Sequence, residues 1–476
     1  MNSCELDPLP PFVMVNILDD LAPFLVYVFN RSLTEGYLPA SQKRAIVFPT
    51  LKKQNLDQNA CQNYRPISNL SFLSKTLERL VSLQLLPYFE QAGLLPAAQS
   101  GFRGHHSTET TLLSLLSDIY VAIDQSHLSL LALFDVSSAF DMVDHEILLQ
   151  RLELSCGLSG IPLLWFKSYL TDRTQMVVLG DSRTEWVGVK FGVPQGSVFG
   201  PILYILFTAD ISLLFSKHRA NGHLYADDTQ AFVHGPSSDQ LSLVRSIDCL
   251  ASDLHYWMST NRLCLNATKT QLIWFGTIYN SFPNLTFNCC RLKNSLPTHT
   301  LLVSVTCMGV TLDSALTFTE HISNLTRSCF FQLRRLRAIR RSVSSSVFTT
   351  IVHVFICSRL DYCNSLLMGL PKQRLSPLQS VLNASARLIA RLPRFSHIST
   401  YMLDVLHWLP ITARIHYKIL FLVSKAQLSS SQKYLSDYMR KPLSATSSRS
   451  LRFALAPSAQ LHMPKSRPGL GRSFCS

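Results

Sequence analysis

The feature that most restricts the fold of this 476-residue chain is a set of acidic residues that directly follow apolar stretches. Asp227 and Asp228 follow the stretch 223–225, and Asp135 follows the stretch 128–134. Short apolar runs that end at polar residues predict buried strands. We therefore expect all three carboxylates to lie where buried strands emerge into a cleft, and carboxylates gathered there attract cations.

Converging carboxylates are suited to phosphoryl transfer, in which charge builds on the attacking and leaving oxygens. Two divalent ions about 3.5 to 4 Å apart can hold both of these oxygens, and Mg²⁺ prefers hard oxygen ligands. Asp135, Asp227 and Asp228 would supply such ligands to two Mg²⁺ ions, or to Mn²⁺ in their place. The alternative is that Asp227 and Asp228 form only the polar turn of a hairpin whose second strand is 229–233, since Asp is common in turns.

The composition predicts a large buried core in two or three domains. The chain is 47% hydrophobic and 16% charged, which argues against global disorder. Its net charge of +14 is unevenly distributed: from Arg327 onward there are 23 Lys and Arg against 3 Asp and Glu, and before it 21 against 27. A basic back half joined to a mildly acidic front half suggests that the back binds a polyanion and the front binds metal.

The sequence shows no clear sign of a zinc site or an export signal. Its twelve cysteines lack zinc-ligand spacing with histidines, so we expect reduced and mostly buried thiols. The N-terminus has no cationic start followed by an apolar core. The sequence therefore predicts neither secretion nor a membrane span, and it predicts an intracellular location in the nucleus, the cytoplasm or both.

The remaining pattern alternates strands, loops and helices. Strands are expected at 45–51 and 271–275, and a glycine-rich loop at 192–201 is expected to lead into one apolar helix that ends near Phe215. Beyond Asp313 helices dominate, and one long helix carries a stripe of arginines. We favour contact of this stripe with nucleic-acid phosphates over a merely solvated face. The arginines of the stripe are Arg327, Arg334, Arg335, Arg337, Arg340 and Arg341.

Taken in chain order, several segments resemble successive blocks of the reverse transcriptase domain of non-LTR (LINE-type) retrotransposons. A single acidic pair is weak support, but six ordered blocks are not plausibly accidental. Three further segments, 360–366, 378–388 and 406–410, resemble the C-terminal region of vertebrate elements of the CR1/L2/Rex kind. The six blocks are 63–68, 99–103, 134–144, 192–201, 225–230 and 309–313.

The resemblance implies an α/β right-hand polymerase with an α+β palm. Fingers and palm would occupy residues 41–276, a helical thumb or connection 277–345, and a helical basic C-terminal region with a disordered tail 346–476. Residues 1–40 would be a lead-in. Such elements usually begin with an endonuclease, and too few residues precede Ala45 to fold one, so the chain is expected to lack it and to be truncated at its front.

The resemblance also implies roles for individual residues. The three aspartates match the catalytic Mg²⁺ ligands, and the carbonyl of Val136 matches a backbone ligand beside them. Phe140 matches a gate that excludes the ribose 2′-hydroxyl, although it could also be a core residue. Asp141 is expected to be structural. The residues that match nucleotide-binding positions are Lys52 or Lys53 and Arg65 at the triphosphate, Gln195 and Gly196 against the nucleotide and template, and Lys269 as the proton donor to pyrophosphate.

The implied activity is that of an RNA-directed DNA polymerase, which adds deoxynucleotides to a primer 3′-hydroxyl on an RNA template. Its partners would be the RNA template, the DNA primer, deoxynucleoside triphosphates and an endonuclease in trans. One alternative is a catalytically silent nucleic-acid-binding remnant of a retroelement. A second is an RNA-dependent RNA polymerase, against which Phe140 argues.

Overall fold

The structure is a computed structural model that describes residues 4–53, 56–266, 269–276 and 302–428. The predicted disordered tail and the first part of the predicted thumb lie outside the described residues. The helices of the described part are α1 (Pro11–Asn16), α2 (Leu18–Glu35), α3 (Phe72–Gln91), α4 (Thr108–Asp124), α5 (His145–Leu154), α6 (Gly160–Leu170), α7 (Phe199–Phe207), α8 (Ile211–Lys217), α9 (Gln240–Thr260), α10 (Thr319–Ile339), α11 (Ser345–Val352), α12 (Ser358–Asp361), α13 (Lys372–Ala390) and α14 (Ile411–Leu428).

The strands form two larger sheets and two short ladders. The strands of the described part are β1 (Arg44–Leu51), β2 (Tyr64–Asn69), β3 (Leu128–Phe134), β4 (Val136–Ser137), β5 (Arg173–Leu179), β6 (Ser182–Arg183), β7 (Val187–Val189), β8 (Asn221–Tyr225), β9 (Asp228–Gly235), β10 (Cys264–Leu265), β11 (Gln271–Phe275), β12 (Ser304–Cys307) and β13 (Val310–Asp313). One sheet has the order β2-β1-β5-β6 with β7 also paired to β5, and the other has the order β11-β3-β9-β8. The ladders are β10-β4 and β12-β13.

The apolar runs of the sequence predicted the four strands of the β11-β3-β9-β8 sheet. The stretches 128–134 and 271–275 are strands with the expected bounds, and they pair antiparallel with Ile273 opposite Leu131. Nearly every residue of β3 is buried, which explains its continuous apolar run, because a strand covered on both faces does not alternate with polar residues.

The chain divides into two compact units that are interleaved along the sequence. Unit 1 comprises residues 1–102, 134–229 and 249–269, and unit 2 comprises 103–133, 230–248 and 270–476. These units differ from the consecutive domains predicted at 41–276, 277–345 and 346–476. The reason is packing, because α4 and the strands β3, β9 and β11 contribute to one hydrophobic core with the later helices. Members of that core in unit 2 include Leu112, Leu131, Phe232, Ile273, Leu312, Leu333 and Leu382.

An aromatic cluster organises the centre of unit 1. Trp165, Phe166 and Tyr169 of α6 surround Phe199, the first residue of α7, with ring centroids 5.4 to 5.8 Å from it. Such edge-on contacts add to the free energy gained from burying the rings. They anchor the start of α7 and with it the glycine-rich loop that precedes the helix.

The apolar helix predicted to reach Phe215 is interrupted. Helix α7 ends at Phe207, where the side chain of Thr208 donates to the carbonyl of Tyr204, and α8 begins only at Ile211. The prediction of one helix was therefore wrong, because polar Thr208 and Asp210 form a turn that hydropathy alone does not detect. In the described residues, Phe199–Lys217 is the one helical stretch that is long and apolar enough to cross a membrane, but 61% of its most apolar window is buried within the protein.

Candidate active site

Asp135 lies one residue beyond the end of β3, and its backbone is fixed from the opposite side by the segment around β10. The carbonyl of Asp135 accepts a hydrogen bond from the backbone N–H of Asn266 at 2.8 Å, and the next residue, Val136, pairs with Leu265 in the β4-β10 ladder. The carboxylate of Asp135 contacts Lys269, with 2.9 Å between Oδ2 and Nζ. The backbone of Asp135 and its carboxylate are therefore both held in place.

Asp227 and Asp228 lie at the hairpin that joins β8 to β9. Asp227 is in the turn and Asp228 is the first residue of β9. β9 is buried from Thr229 to Val233, so the two carboxylates stand where a buried strand reaches the surface. The interpretation as a hairpin turn is thus correct for the local structure, and the surroundings of the turn show what else the residues can do.

The three aspartates influence one another electrostatically. Burial raises the pKa of Asp227, the negative charge of Asp135 raises it further, and Arg65 and Lys269 act in the opposite direction. Removal of water by the surrounding protein, with repulsion from Asp227 and Asp135, raises the pKa of Asp228 to about 6. Burial raises the pKa of the Tyr204 hydroxyl well above its usual range, and the negative charges of the same three carboxylates raise it further. Asp135, Asp227 and Asp228 therefore lie within electrostatic range of one another in unit 1.

The donor set suits a hard divalent cation. Crowded carboxylates disfavour their own ionisation, and a cation among them removes that cost. In the conformation described, the ammonium of Lys269 partly plays this role at Asp135. In the described part of the chain, no three His, Cys, Asp or Glu side chains form a metal cluster.

The predicted triphosphate-binding cations lie on the β1-β2 hairpin of unit 1. Lys52 and Lys53 are exposed just beyond β1, and Nζ of Lys52 donates to the carbonyl of Gln62 at 2.8 Å. Arg65 is exposed on β2, opposite Thr50. Its influence on the pKa of Asp227 shows that it lies within electrostatic range of the acidic hairpin. Exposed cations of this kind remain available to an anionic ligand.

Phe140 lies in a short 3₁₀ turn, where its half-buried ring packs on Tyr204 with 4.9 Å between ring centroids. Because only one part of the ring is covered, Phe140 can contribute to the core and still present an edge outside it. The two roles considered for this residue are therefore compatible.

The loop that carries Gln195 and Gly196 is docked on β2. The backbone N–H of Ser68 donates to the Gln195 carbonyl at 2.6 Å. Gly196 has a φ of +120°, and a Cβ there would lie 2.5 Å from the Ser68 carbonyl oxygen, so the close approach requires glycine. The Gln195 amide donates to both carboxylate oxygens of Asp141 at 3.0 Å, which gives Asp141 the structural role that was expected.

A cavity of about 180 Å³ lies beside this loop in unit 1. Ser68, Asp141, Arg173 and Gln195 contribute polar groups to its lining. Arg173 is only 3% exposed, and its Nη2 has no hydrogen-bond partner among the described residues. The cavity thus has a mixed polar and apolar lining, and it offers both donors and acceptors next to the predicted nucleotide-binding loop.

Comparisons with known proteins are consistent with this arrangement. Residues 51–308 match the family described as "Reverse transcriptase (RNA-dependent DNA polymerase)". The chain belongs to this reverse transcriptase family. The matched range contains all three aspartates, Lys52, Lys53, strand β2 with Arg65, and the Gln195 loop. The α/β class and the predicted family are confirmed.

Curated relatives of the chain come from mobile elements. The chain is 28% identical over 399 residues to "Probable RNA-directed DNA polymerase from transposon BS" of Drosophila melanogaster, which covers 80% of this chain and 42% of the relative. It is 29% identical over 354 residues to "RNA-directed DNA polymerase from mobile element jockey" of Drosophila funebris, and this match covers 72% of this chain and 37% of the relative. The chain therefore spans about two fifths of the length of these curated relatives. A solved structure of apo telomerase from Candida tropicalis is similar at 13% identity and a TM-score of 0.40, covering 92% of this chain and 76% of that one.

One residue that supports the Gln195 loop was not predicted. Glu78 on α3 is fully buried, and its Oε2 accepts from the backbone N–H groups of Val198 at 2.6 Å and Phe199 at 3.3 Å. Burial raises the pKa of Glu78, while these two donors and the charge of Arg173 act in the opposite direction. A sequence signal existed, because a glutamate on the apolar face of a helix, next to Leu77 and three residues before Val81, needs buried partners.

The arginine stripe of α10 is only partly available to a ligand. Arg327, Arg334, Arg335 and Arg337 are exposed, as is Arg341 just beyond the helix. Arg340 is only 6% exposed, and it donates to the carbonyls of Leu388 at 3.2 Å and Ile389 at 2.9 Å. The prediction of phosphate contact is therefore corrected for Arg340, whose guanidinium instead satisfies carbonyls in the last turn of α13.

Proposed function

We propose that this chain is an RNA-directed DNA polymerase of retrotransposon origin, which extends a DNA primer on an RNA template with deoxynucleoside triphosphates. The observation that supports it most is the meeting of Asp135, Asp227 and Asp228 at strand ends in a reverse transcriptase domain. Carboxylates placed in this way can hold the cations that phosphoryl transfer needs.

In the proposed mechanism most of the catalysis comes from positioning and electrostatics. Bound to Asp135, Asp227, Asp228 and the Val136 carbonyl, two Mg²⁺ ions would stabilise charge on the attacking 3′-oxygen and on the departing oxygen. Oxygen ligands make Mg²⁺ the natural ion, with Mn²⁺ as its substitute.

The surrounding side chains would bind and select the nucleotide. Arg65, with Lys52 or Lys53, would neutralise the triphosphate, because a guanidinium can pair with two phosphate oxygens at once. Gln195, oriented by Asp141, would lie against the nucleotide, and the edge of Phe140 would exclude a 2′-hydroxyl. Lys269 would leave Asp135 and donate a proton to the departing pyrophosphate.

A primer-extension assay with the purified chain and with RNA and DNA templates side by side tests this proposal. We expect the wild type to extend the primer with Mg²⁺ and to stop when Mg²⁺ is chelated. Asp227→Asn should abolish extension while its thermal unfolding stays close to that of the wild type. Asp181→Asn, in the exposed turn between β5 and β6, is the matched control and should extend normally.

Equal extension by Asp227→Asn and the wild type would refute the assignment. A wild-type chain that binds template and primer but never lengthens the primer would favour the silent remnant. For integration into DNA, we propose that an endonuclease acting in trans makes the nick that supplies the 3′-hydroxyl.

A further inference from the structure

A segment at 98–101, buried from Gln99 to Gly101, lies alongside the strand that leads into the acidic hairpin. The backbone N–H of Leu224 in β8 donates to the carbonyl of Ala98, and the N–H of Ser100 donates back to the carbonyl of Leu224, both at 2.8 Å. Gln99 thereby forms an isolated parallel bridge with Leu224. All of these residues belong to unit 1. The segment therefore extends the edge of β8 as far as the turn that holds Asp227.

The side chain of Gln99 continues this contact into the turn itself. It is only 1% exposed, and its Oε1 accepts from the backbone N–H of Ala226 at 3.0 Å and from that of Gly101 at 2.8 Å. Its Nε2 lies 3.5 Å from the carbonyl oxygen of Ala226. One buried amide thus contacts both polar groups of the peptide backbone at the residue that directly precedes Asp227.

The conformation of Ala226 explains why such a contact is needed. Ala226 has a φ of +56°, in the left-handed region that residues with a Cβ disfavour. A strained backbone of this kind persists only where its surroundings hold it. Gly101 shows how closely they do so, because a Cβ on it would lie 2.2 Å from the nitrogen of Ala226.

We propose that Gln99 is a positioning residue that holds the Ala226 turn and thereby sets the placement of the Asp227 and Asp228 carboxylates for metal binding. The inference rests on the proposed function, because it assigns to these aspartates the role of metal ligands. Gln99 itself does not touch the reacting groups. Groups that orient metal ligands typically change metal affinity about 10- to 100-fold when they are removed.

Binding of Mn²⁺ alone, measured by electron paramagnetic resonance without nucleotide or primer, tests the proposal. Gln99→Met keeps the length of the side chain and removes its oxygen, and we expect it to bind Mn²⁺ about tenfold more weakly than the wild type. Gln150→Met is the matched control, since Gln150 is exposed on α5, and it should bind Mn²⁺ as the wild type does.

A second substitution separates positioning from general loss of structure. Glycine adopts a positive φ without strain, so the double variant Gln99→Met/Ala226→Gly should bind Mn²⁺ more tightly than Gln99→Met alone. A merely structural role would lower the thermal unfolding temperature without this recovery. If Gln99→Met does not fold, Gln99→Asn, which keeps a buried amide but withdraws its oxygen by one methylene, should show the same weakening.

Equal Mn²⁺ affinity in the wild type and the Gln99 variant would overturn the proposal, as would the absence of Mn²⁺ binding by the wild type. Primer extension is scored separately in the same preparations. A wild-type chain that binds Mn²⁺ but extends no primer would refute the proposed polymerase activity, while the comparison between the variants would still decide the role of Gln99.

Discussion

At the scale of single residues, the site combines side chains that are covered by protein with side chains that are exposed to solvent. Asp135 is fixed through its backbone and paired with the exposed ammonium of Lys269. The ring of Phe140 packs against Tyr204 while part of it remains exposed. A ring packed on one side is suited to the selection of substrates by shape, because the packing prevents the ring from moving aside when a larger substrate approaches.

Replacing Phe140 by Val should relax the choice between deoxynucleotides and ribonucleotides. The smaller side chain leaves room for a 2′-hydroxyl, so the ratio of kcat/KM for ribonucleotides to that for deoxynucleotides should rise by roughly tenfold or more. Single-nucleotide incorporation kinetics measure this ratio. Phe395→Val, at a ring that is 90% exposed, is the control and should leave the ratio unchanged. A ratio unaffected by Phe140→Val, with only lower stability, would assign Phe140 to the core alone.

At the scale of elements, two buried charged residues connect helices to segments distant in the chain. Glu78 of α3 holds the first backbone N–H groups of α7, and Arg340 at the end of α10 holds the last carbonyls of α13. Each satisfies helix ends that would otherwise lack partners, and each places its charge at the favourable end of the helix dipole.

Glu78→Gln should change how stability depends on pH. The pKa of Glu78 in the folded protein is raised, so the stability contributed by its protonated form is present below the unfolded pKa of about 4.3 and is lost as pH rises through the folded pKa. Arg173 and Tyr169 face this carboxyl and are unchanged in the variant. The free energy of unfolding of the wild type, relative to Glu78→Gln, should therefore decrease from pH 4 to pH 8 in denaturant titrations. Glu90→Gln, exposed on the same helix, should give a difference independent of pH.

The arginines of α10 should separate into two classes on substitution. Arg334→Gln removes an exposed cation, so it should reduce the slope of log Kd for RNA against log salt concentration by about 1 without affecting folding. Arg340→Gln should instead lower the free energy of unfolding by roughly 1 to 3 kcal/mol, because buried carbonyls lose a charged donor. Arg245→Gln, at an exposed position of α9, is the control. An unchanged slope for Arg334→Gln would leave the stripe as a solvated face.

At the scale of the whole molecule, each of the two units is built from three separate segments of the chain. A cut after residue 276 would leave Leu131, Phe232 and Ile273 without the later helices that complete their core. We expect residues 1–276 alone to lose cooperative thermal unfolding and to be cleaved rapidly by protease, whereas residues 1–428 should unfold cooperatively. Circular dichroism measures the thermal transition of both chains. A cooperative transition in the shorter chain would instead support the predicted boundary at 276.

Local signals in the sequence, namely apolar runs, caps and ordered motifs, were enough to predict the family, the strands β1, β3, β8, β9 and β11, and the helical character beyond Asp313. Contacts in the folded protein were needed to show that Lys269 pairs with Asp135, that Arg340 is buried, and that Gln99 hydrogen-bonds to a turn 127 residues away. They also decided the interleaving of the two units. These outcomes depend on contacts between residues far apart in the chain, and the cost or gain of such a contact is set by its three-dimensional neighbours, which leave no local pattern in the sequence.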